Sequence, residues 1–208
     1  MNPKWAEENL QTIRTLMERS AIYRRALAPV MLMCGLFGLA GGGAGWLWQL
    51  NSRETFVLTW FTTAVLALGC SILLVRQQSL REAEQFWSPP TRRIAHALTP
   101  AFLVGAALTA VLTWWGNKII GAEVLIIIWC FAFGCGVHAA GFFMPSGTRW
   151  FGWLFLFVGI GLLVGICDEV NVVGLFRSPH LFMATIFGGL HLTYGIYLYF
   201  TEKKNPAA

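Results

Sequence analysis

Residues 122–144 read AEVLIIIWCFAFGCGVHAAGFFM, and this stretch decides the class of fold. No Asp, Glu, Lys or Arg falls between Glu123 and Arg149. A helix needs about 20 largely apolar residues to cross the hydrocarbon core of a bilayer. The same pattern recurs over residues 27–50, 55–76, 95–115, 149–168 and 179–200, and none of these runs holds a formal charge in its central part. Of the 208 residues, 56% are hydrophobic and 12% are charged, against about 25% charged in soluble domains. A soluble fold of this size could not hide that much apolar surface, so lipid must be part of the solvent. The reading is an all-α, polytopic membrane protein with six transmembrane helices.

Between the runs lie turn formers and charges: Asn51-Ser52-Arg53-Glu54, Gly116-Asn117-Lys118, Pro145-Ser146-Gly147 and the link from Asp168 to Pro179. Lys and Arg in these loops set the orientation. With the N-terminus inside, one side holds Lys4, Arg14, Arg19, Arg24, Arg25, Arg76, Arg81, Arg92, Arg93, Arg149, Lys203 and Lys204. The other holds Arg53, Lys118 and Arg177. The basic excess places both termini in the cytoplasm. It also accounts for the net charge of +5 without nucleic acid as a partner.

The chain divides into a leader (1–26), a six-helix bundle (27–200) and a cytoplasmic tail (201–208). In the leader, Asn2-Pro3 is a good helix start. Trp5, Leu10, Ile13, Met17 and Ala21 then recur at helical spacing. An amphipathic helix lying on the inner leaflet is expected, as an anchor or as a docking element for a partner. The largest loop follows helix two, where Gln77–Phe86 continues the helix and Ser88-Pro89-Pro90 breaks it. The first apolar run begins behind a charged leader and is too long for a signal sequence.

Glycine is frequent, with 22 residues. In helix one Gly38 and Gly42 stand four apart, as do Gly41 and Gly45. In helix five Gly161 and Gly165 repeat the interval. That spacing lets helix backbones approach closely. It serves contacts within the bundle or a homodimer through helix one. Cys34, Cys70, Cys130, Cys135 and Cys167 all lie in apolar segments without CxxC spacing. They read as small buried hydrophobes rather than as a disulfide framework.

Ionisable residues inside a membrane are the first place to look for function. No carboxylate lies near the midplane, which speaks against a proton- or sodium-coupled transporter. His138 and His191 remain. His138 shares a helix face with Gly134 and Gly141, and His191 shares one with Gly188 and Gly195. Glycine beside histidine leaves room for a flat ligand, and two axial histidines on facing helices are one way to hold haem b. The competing reading is packing, with each imidazole satisfied by a nearby carbonyl, by Tyr194, or by Thr185 or Thr193. At the outer mouth, Asp168, Glu169, His180, Glu54 and Glu123 form a weak candidate for a divalent cation or are ordinary solvated helix ends. His96, beside Arg92 and Arg93, suits a lipid headgroup. No GxSxG, HExxH or phosphate-cradling glycine loop occurs, so no enzymatic reaction is read from the chain.

Two stretches carry a resemblance. One runs Ile13-Arg14-Thr15-Leu16-Met17-Glu18-Arg19-Ser20 and on to Tyr23. The other is Phe187-Gly188-Gly189-Leu190-His191-Leu192-Thr193-Tyr194-Gly195-Ile196-Tyr197. Together they resemble a family of uncharacterised bacterial inner-membrane proteins with an IRxLMERS leader and a closing GxxHxxYGI helix. The chain departs from that pattern at Leu27-Ala28-Pro29, where the family has a Leu-Ser pair. The resemblance implies a bacterial inner membrane and a role for His191 and Tyr194, but no activity. Three functions stay open: a non-enzymatic accessory, regulatory or complex-forming membrane component; a haem b redox or sensor protein using His138 and His191; and a channel or carrier for a small neutral or apolar solute.

Overall fold

The computed structural model describes residues 26–81, 86–115, 121–145, 147–167 and 178–203. Six helices among them are long and apolar enough to cross a membrane: α1 (Ala26–Leu47), α2 (Arg53–Arg81), α3 (Pro89–Trp114), α4 (Ala122–Ala140), α5 (Gly147–Cys167) and α6 (Pro179–Thr201). No strand occurs among the described residues. The expected amphipathic leader, the tail after residue 203, and the segments holding Lys118 and Asp168–Arg177 lie outside them.

Local chemistry sets the helix ends. α1 stops at Leu47, three residues before the apolar run does. Gln49 adopts φ 51°, the Gln49 N–H donates to the Trp46 carbonyl at 3.2 Å, and the Leu50 N–H donates to the Gly45 carbonyl at 3.0 Å. That pair of bonds closes a helix C-terminus through a left-handed residue. At the start of α2 the Thr55 N–H donates to Ser52 Oγ at 3.2 Å, which caps the helix. Ser88-Pro89-Pro90 breaks the chain as expected but also begins α3, six residues before the apolar run. Proline suits the first helical turn because its missing N–H would have no partner there. α4 ends at Ala140 rather than Met144, with the Gly141 N–H bonded to the Val137 carbonyl at 2.9 Å.

The bundle is uneven. The fully buried side chains Leu125, Ile126, Cys130 and Phe155 belong to α4 and α5. In its most apolar stretch α2 is only 6% buried and α3 only 6%, against 39% for α1, 44% for α4 and 44% for α6. α3 lies along α4, where a β-carbon on Gly105 would come 2.9 Å from Ala132 Cβ. There the Trp129 indole N–H donates to Thr109 Oγ1 at 3.0 Å. α2 spans about 43 Å, more than the roughly 30 Å hydrocarbon core. It is tied down at a few points. The Arg53 guanidinium donates to the Leu112 carbonyl at 2.9 Å, and Thr63 abuts Gly41.

α1 and α6 run antiparallel in close contact. A β-carbon on Gly35 would sit 2.6 Å from the Leu192 amide nitrogen, one on Gly38 2.8 Å from Gly188 Cα, and one on Gly195 2.8 Å from the Leu32 amide nitrogen. Gly42 meets Ala184, and Gly45 meets the His180 ring. Gly38 and Gly42 are therefore covered by α6 of the same chain, and Gly41 by α2. The face expected for a homodimer through helix one is already filled.

The packing role expected of Gly161 and Gly165 in α5 is corrected. A β-carbon on Gly161 would meet nothing within 4 Å among the described residues, so no described helix lies against it. Gly165, one turn further on, is only half-buried near the end of α5. A close-approach seam needs both small residues under the same neighbouring backbone. The buried glycines of α5 are instead Gly152 and Gly159, which face α4 at His138 and Cys130. They stand seven apart, an interval that a search for residues four apart passes over.

α6 is not a uniform α-helix, because residues Ala184–Gly189 form a π-helical segment. Its contacts with α1 explain why. His180, Ala184, Gly188 and Leu192 all face α1, at successive steps of four residues. In an α-helix each such step drifts by roughly 40° around the axis. The wider π turn takes up that drift and keeps the row on the α1 surface.

Candidate functional site

His191 follows the π segment and is 6% exposed. A carbonyl can only accept, so the Nδ1–H of His191 donates to the Phe187 carbonyl at 2.6 Å. The ring lies among Phe133 (5.0 Å), Phe151 (5.1 Å), Phe155 (5.7 Å) and Phe187 (6.3 Å), measured between centroids. Tyr194, one turn along, stacks on Phe151 at 4.5 Å and 12°. The hydroxyl of Thr148, one turn before Phe151 on α5, is buried and has no hydrogen-bond partner among the described residues. The centre of the bundle is thus packed with aromatic rings around one imidazole.

His138 lies elsewhere. Its ring sits between Phe142 (5.4 Å) and Trp153 (5.3 Å), with Nδ1 3.4 Å from the Arg149 carbonyl, a long and weak bond. Phe151 and Trp153 are two residues apart on α5, and so point roughly 200° apart around its axis. His191 packs on one flank of α5 and His138 on the other. One flat ligand cannot take an axial bond from both.

The glycines expected to leave room for such a ligand are filled by protein. A β-carbon would come 2.9 Å from the Leu156 side chain at Gly134 and 2.6 Å from the Arg149 side chain at Gly141. It would come 2.7 Å from the Leu39 amide at Gly188 and 2.8 Å from the Leu32 amide at Gly195. Each glycine lets a neighbouring helix approach, and none opens a slot beside its histidine. The haem site expected from the sequence is corrected on this geometry. Sequence periodicity places residues on a helix face but does not say which neighbour occupies that face.

Where α1 finishes and α6 begins, His180 is 1% exposed. Its Nε2–H donates to the Leu50 carbonyl at 2.9 Å, its ring packs on Phe56 at 5.0 Å, and Nδ1 faces Gly45 of α1. This histidine is structural: it joins the start of α6 to the end of α1. Asp168 and Glu169 lie outside the described residues. The Glu123 carboxylate folds against Gly121. Among the described residues no group of three or more His, Cys, Asp or Glu could hold a metal ion. A cavity of about 210 Å³ opens where α2, α4 and α6 begin, bordered by Asn51, Arg53, Phe56, Ala122 and His180. At the other end, His96 is exposed on the first turns of α3.

Two of the five cysteines depart from expectation: Cys135 and Cys167 are exposed on the outside of the bundle, whereas Cys130 is buried and Cys34 and Cys70 are half-buried. Fold and site together define a multi-pass membrane protein of six apolar helices whose centre is an aromatic cluster. No protein-family model matches the chain, and neither a curated protein nor a solved structure is similar to it.

Proposed function

We propose that the chain is a non-enzymatic, complex-forming component of the bacterial inner membrane, with both termini in the cytoplasm. The observation that carries this reading is the uneven burial of the helices, with only 6% of the residues buried in the most apolar stretch of α2 and 6% in that of α3. A transmembrane helix held along one narrow seam offers its remaining surface to lipid or to another helix. Leu58, Phe61, Leu68 and Leu73 of α2, and Leu103 and Val104 of α3, are all exposed. Most hydroxyls on these helices are satisfied within their own helix. Thr59, Thr63, Ser71, Thr99, Thr109 and Thr113 each donate to a carbonyl four residues back in the same helix. Such a surface favours association over reaction. The leader, with its amphipathic spacing, is the second contact we assign to a partner, on the cytoplasmic side.

The other two readings have less support. Phe133, Phe151, Phe155 and Phe187 fill the centre around His191 with rings where a solute path would need water. His138 and His191 share no pocket. Photo-crosslinking in the intact bacterial membrane tests the assembly reading. A photoreactive residue at Phe61, Leu68 or Leu103 should yield a discrete protein adduct, and one at Phe157 of α5 should not. Lipid adducts alone at every position would remove the support for a complex.

A further inference from the structure

The α1–α2 seam carries one cysteine on each helix at the same level. Gly41 abuts the Thr63 side chain. In antiparallel helices, stepping seven residues back from Gly41 and seven forward from Thr63 moves two turns along the same two faces. Those steps end on Cys34 and Cys70. The seam is still closed at that level, because Cys34 Sγ lies 3.5 Å from Ser71 Oγ. Ser71 Oγ–H is donated to the Ala67 carbonyl at 2.7 Å, so Cys34 S–H donates to Ser71. Ser71 is the chain neighbour of Cys70, so that bond sets the Cys34 sulfur beside the turn of α2 that carries Cys70. Both cysteines are half-buried. Cys34 lies about 12 Å along α1 from Ala26 and Cys70 about 16 Å along α2 from Arg81, counting about 1.5 Å per residue. Both cysteines thus fall well within the apolar spans of their helices.

We propose that Cys34 and Cys70 are a redox-active dithiol, oxidised to a disulfide by a quinone dissolved in the membrane. Charged oxidants pay a large desolvation cost to reach this depth, whereas a quinone partitions there and meets the half-exposed seam from the lipid. In the reaction both S–H bonds break and one Sγ–Sγ bond forms. The two protons and two electrons pass to the quinone, which leaves as hydroquinone. The product ties α2, otherwise the most loosely covered helix together with α3, to α1. Ser71 acts as a positioning residue for the Cys34 sulfur.

The test uses the full chain, purified with reductant, freed of it, and held in lipid nanodiscs. Tetramethyl-benzoquinone is the probe because its ring has no open position for a thiol to add to. After treatment the protein is denatured, and its thiols are counted by maleimide mass shift. All five cysteines should label before treatment. Two should be lost after it and be recovered with a reductant, with monomer mobility unchanged on a non-reducing gel. Mass spectrometry of the treated native sequence should find a peptide pair linked through Cys34 and Cys70. Cys34→Ser and Cys70→Ser should each keep every remaining thiol, and Ser71→Ala should slow the loss severalfold. Five labelled thiols after treatment, or a linkage joining any other pair, overturns the proposal.

Discussion

Single residues in this chain work mainly by what they leave out. A β-carbon at Gly38, Gly188 or Gly195 would overlap a neighbouring backbone, so those positions hold helices together by lacking a side chain. Gln49 is the opposite case. It carries a side chain at φ 51°, in the left-handed region, where a β-carbon costs roughly 1–2 kcal/mol. The bonds closing α1 use only its backbone. Gln49→Gly is therefore expected to stabilise the protein by about 1 kcal/mol, read as a shift in reversible unfolding in mixed micelles. An unchanged or weakened protein would show that the glutamine side chain makes a contact that outweighs the strain. His180 could be read from the sequence as a member of an outer-mouth cluster. Its actual work, a hydrogen bond across to Leu50, depends on a fold-back of 130 residues that no local pattern encodes.

At the scale of elements, the α1–α6 seam is the main internal contact that small residues make, and it is sided. Gly42 meets Ala184 and the His180 carbonyl, whereas the adjacent Gly43 has nothing within 4 Å among the described residues. Leucine at the two positions should separate packing from helix propensity. Gly42→Leu forces α6 away from α1 and should cost about 1–3 kcal/mol or more by overpacking. Gly43→Leu meets lipid and should stay within about 0.5 kcal/mol of the native protein. Thermal unfolding of the two variants side by side in the same detergent checks this, and equal losses would mean that the seam is not where these contacts put it. The glycine run 41–45 advertises close approach in the sequence. Which of its faces is used, and by which helix, follows from the rotation of α1. That rotation is set by α2 on one side, through Gly41, and by α6 on the other, through Gly38, Gly42 and Gly45. In α5 the same four-residue spacing, at Gly161 and Gly165, misleads, because the rotation of that helix turns Gly161 away from its neighbours. The π segment was equally hidden. Gly188-Gly189 permits it, but its cause is the four-residue rhythm of the α1 contacts, a property of the pair of helices rather than of α6 alone.

At the scale of the whole molecule, the aromatic centre lies among α4, α5 and α6, with Phe102 of α3 stacked on Phe133 and Phe56 and Trp60 of α2 joining the buried core. His138 and His191 fall on opposite flanks of α5. The purified protein, expressed with ample haem, should accordingly show no Soret band before or after dithionite. A band that sharpens on reduction and disappears in His191→Ala would mean that the helices around α5 rearrange to admit a ligand.

Hydropathy and length alone determined that this is an all-α protein with six membrane-spanning runs. The reason is physical: in lipid each spanning segment must satisfy its own backbone and shield it with apolar side chains, and both requirements are written locally. Helix ends were legible only to within about six residues: Ser52 and Ser88-Pro89-Pro90 marked the starts of α2 and α3, whereas the end of α4 at Ala140 was placed too late, at the Pro145-Ser146-Gly147 turn. Tertiary structure alone decided the rest: the covering of Gly38 and Gly42 by α6, the separation of the two histidines, the filling of their neighbouring glycines, and the meeting of α1 and α2 at Cys34 and Ser71. Each depends on how a helix is rotated and which helix lies beside it. A run of apolar residues exposes nearly equivalent faces all round, so its sequence carries almost no record of that choice.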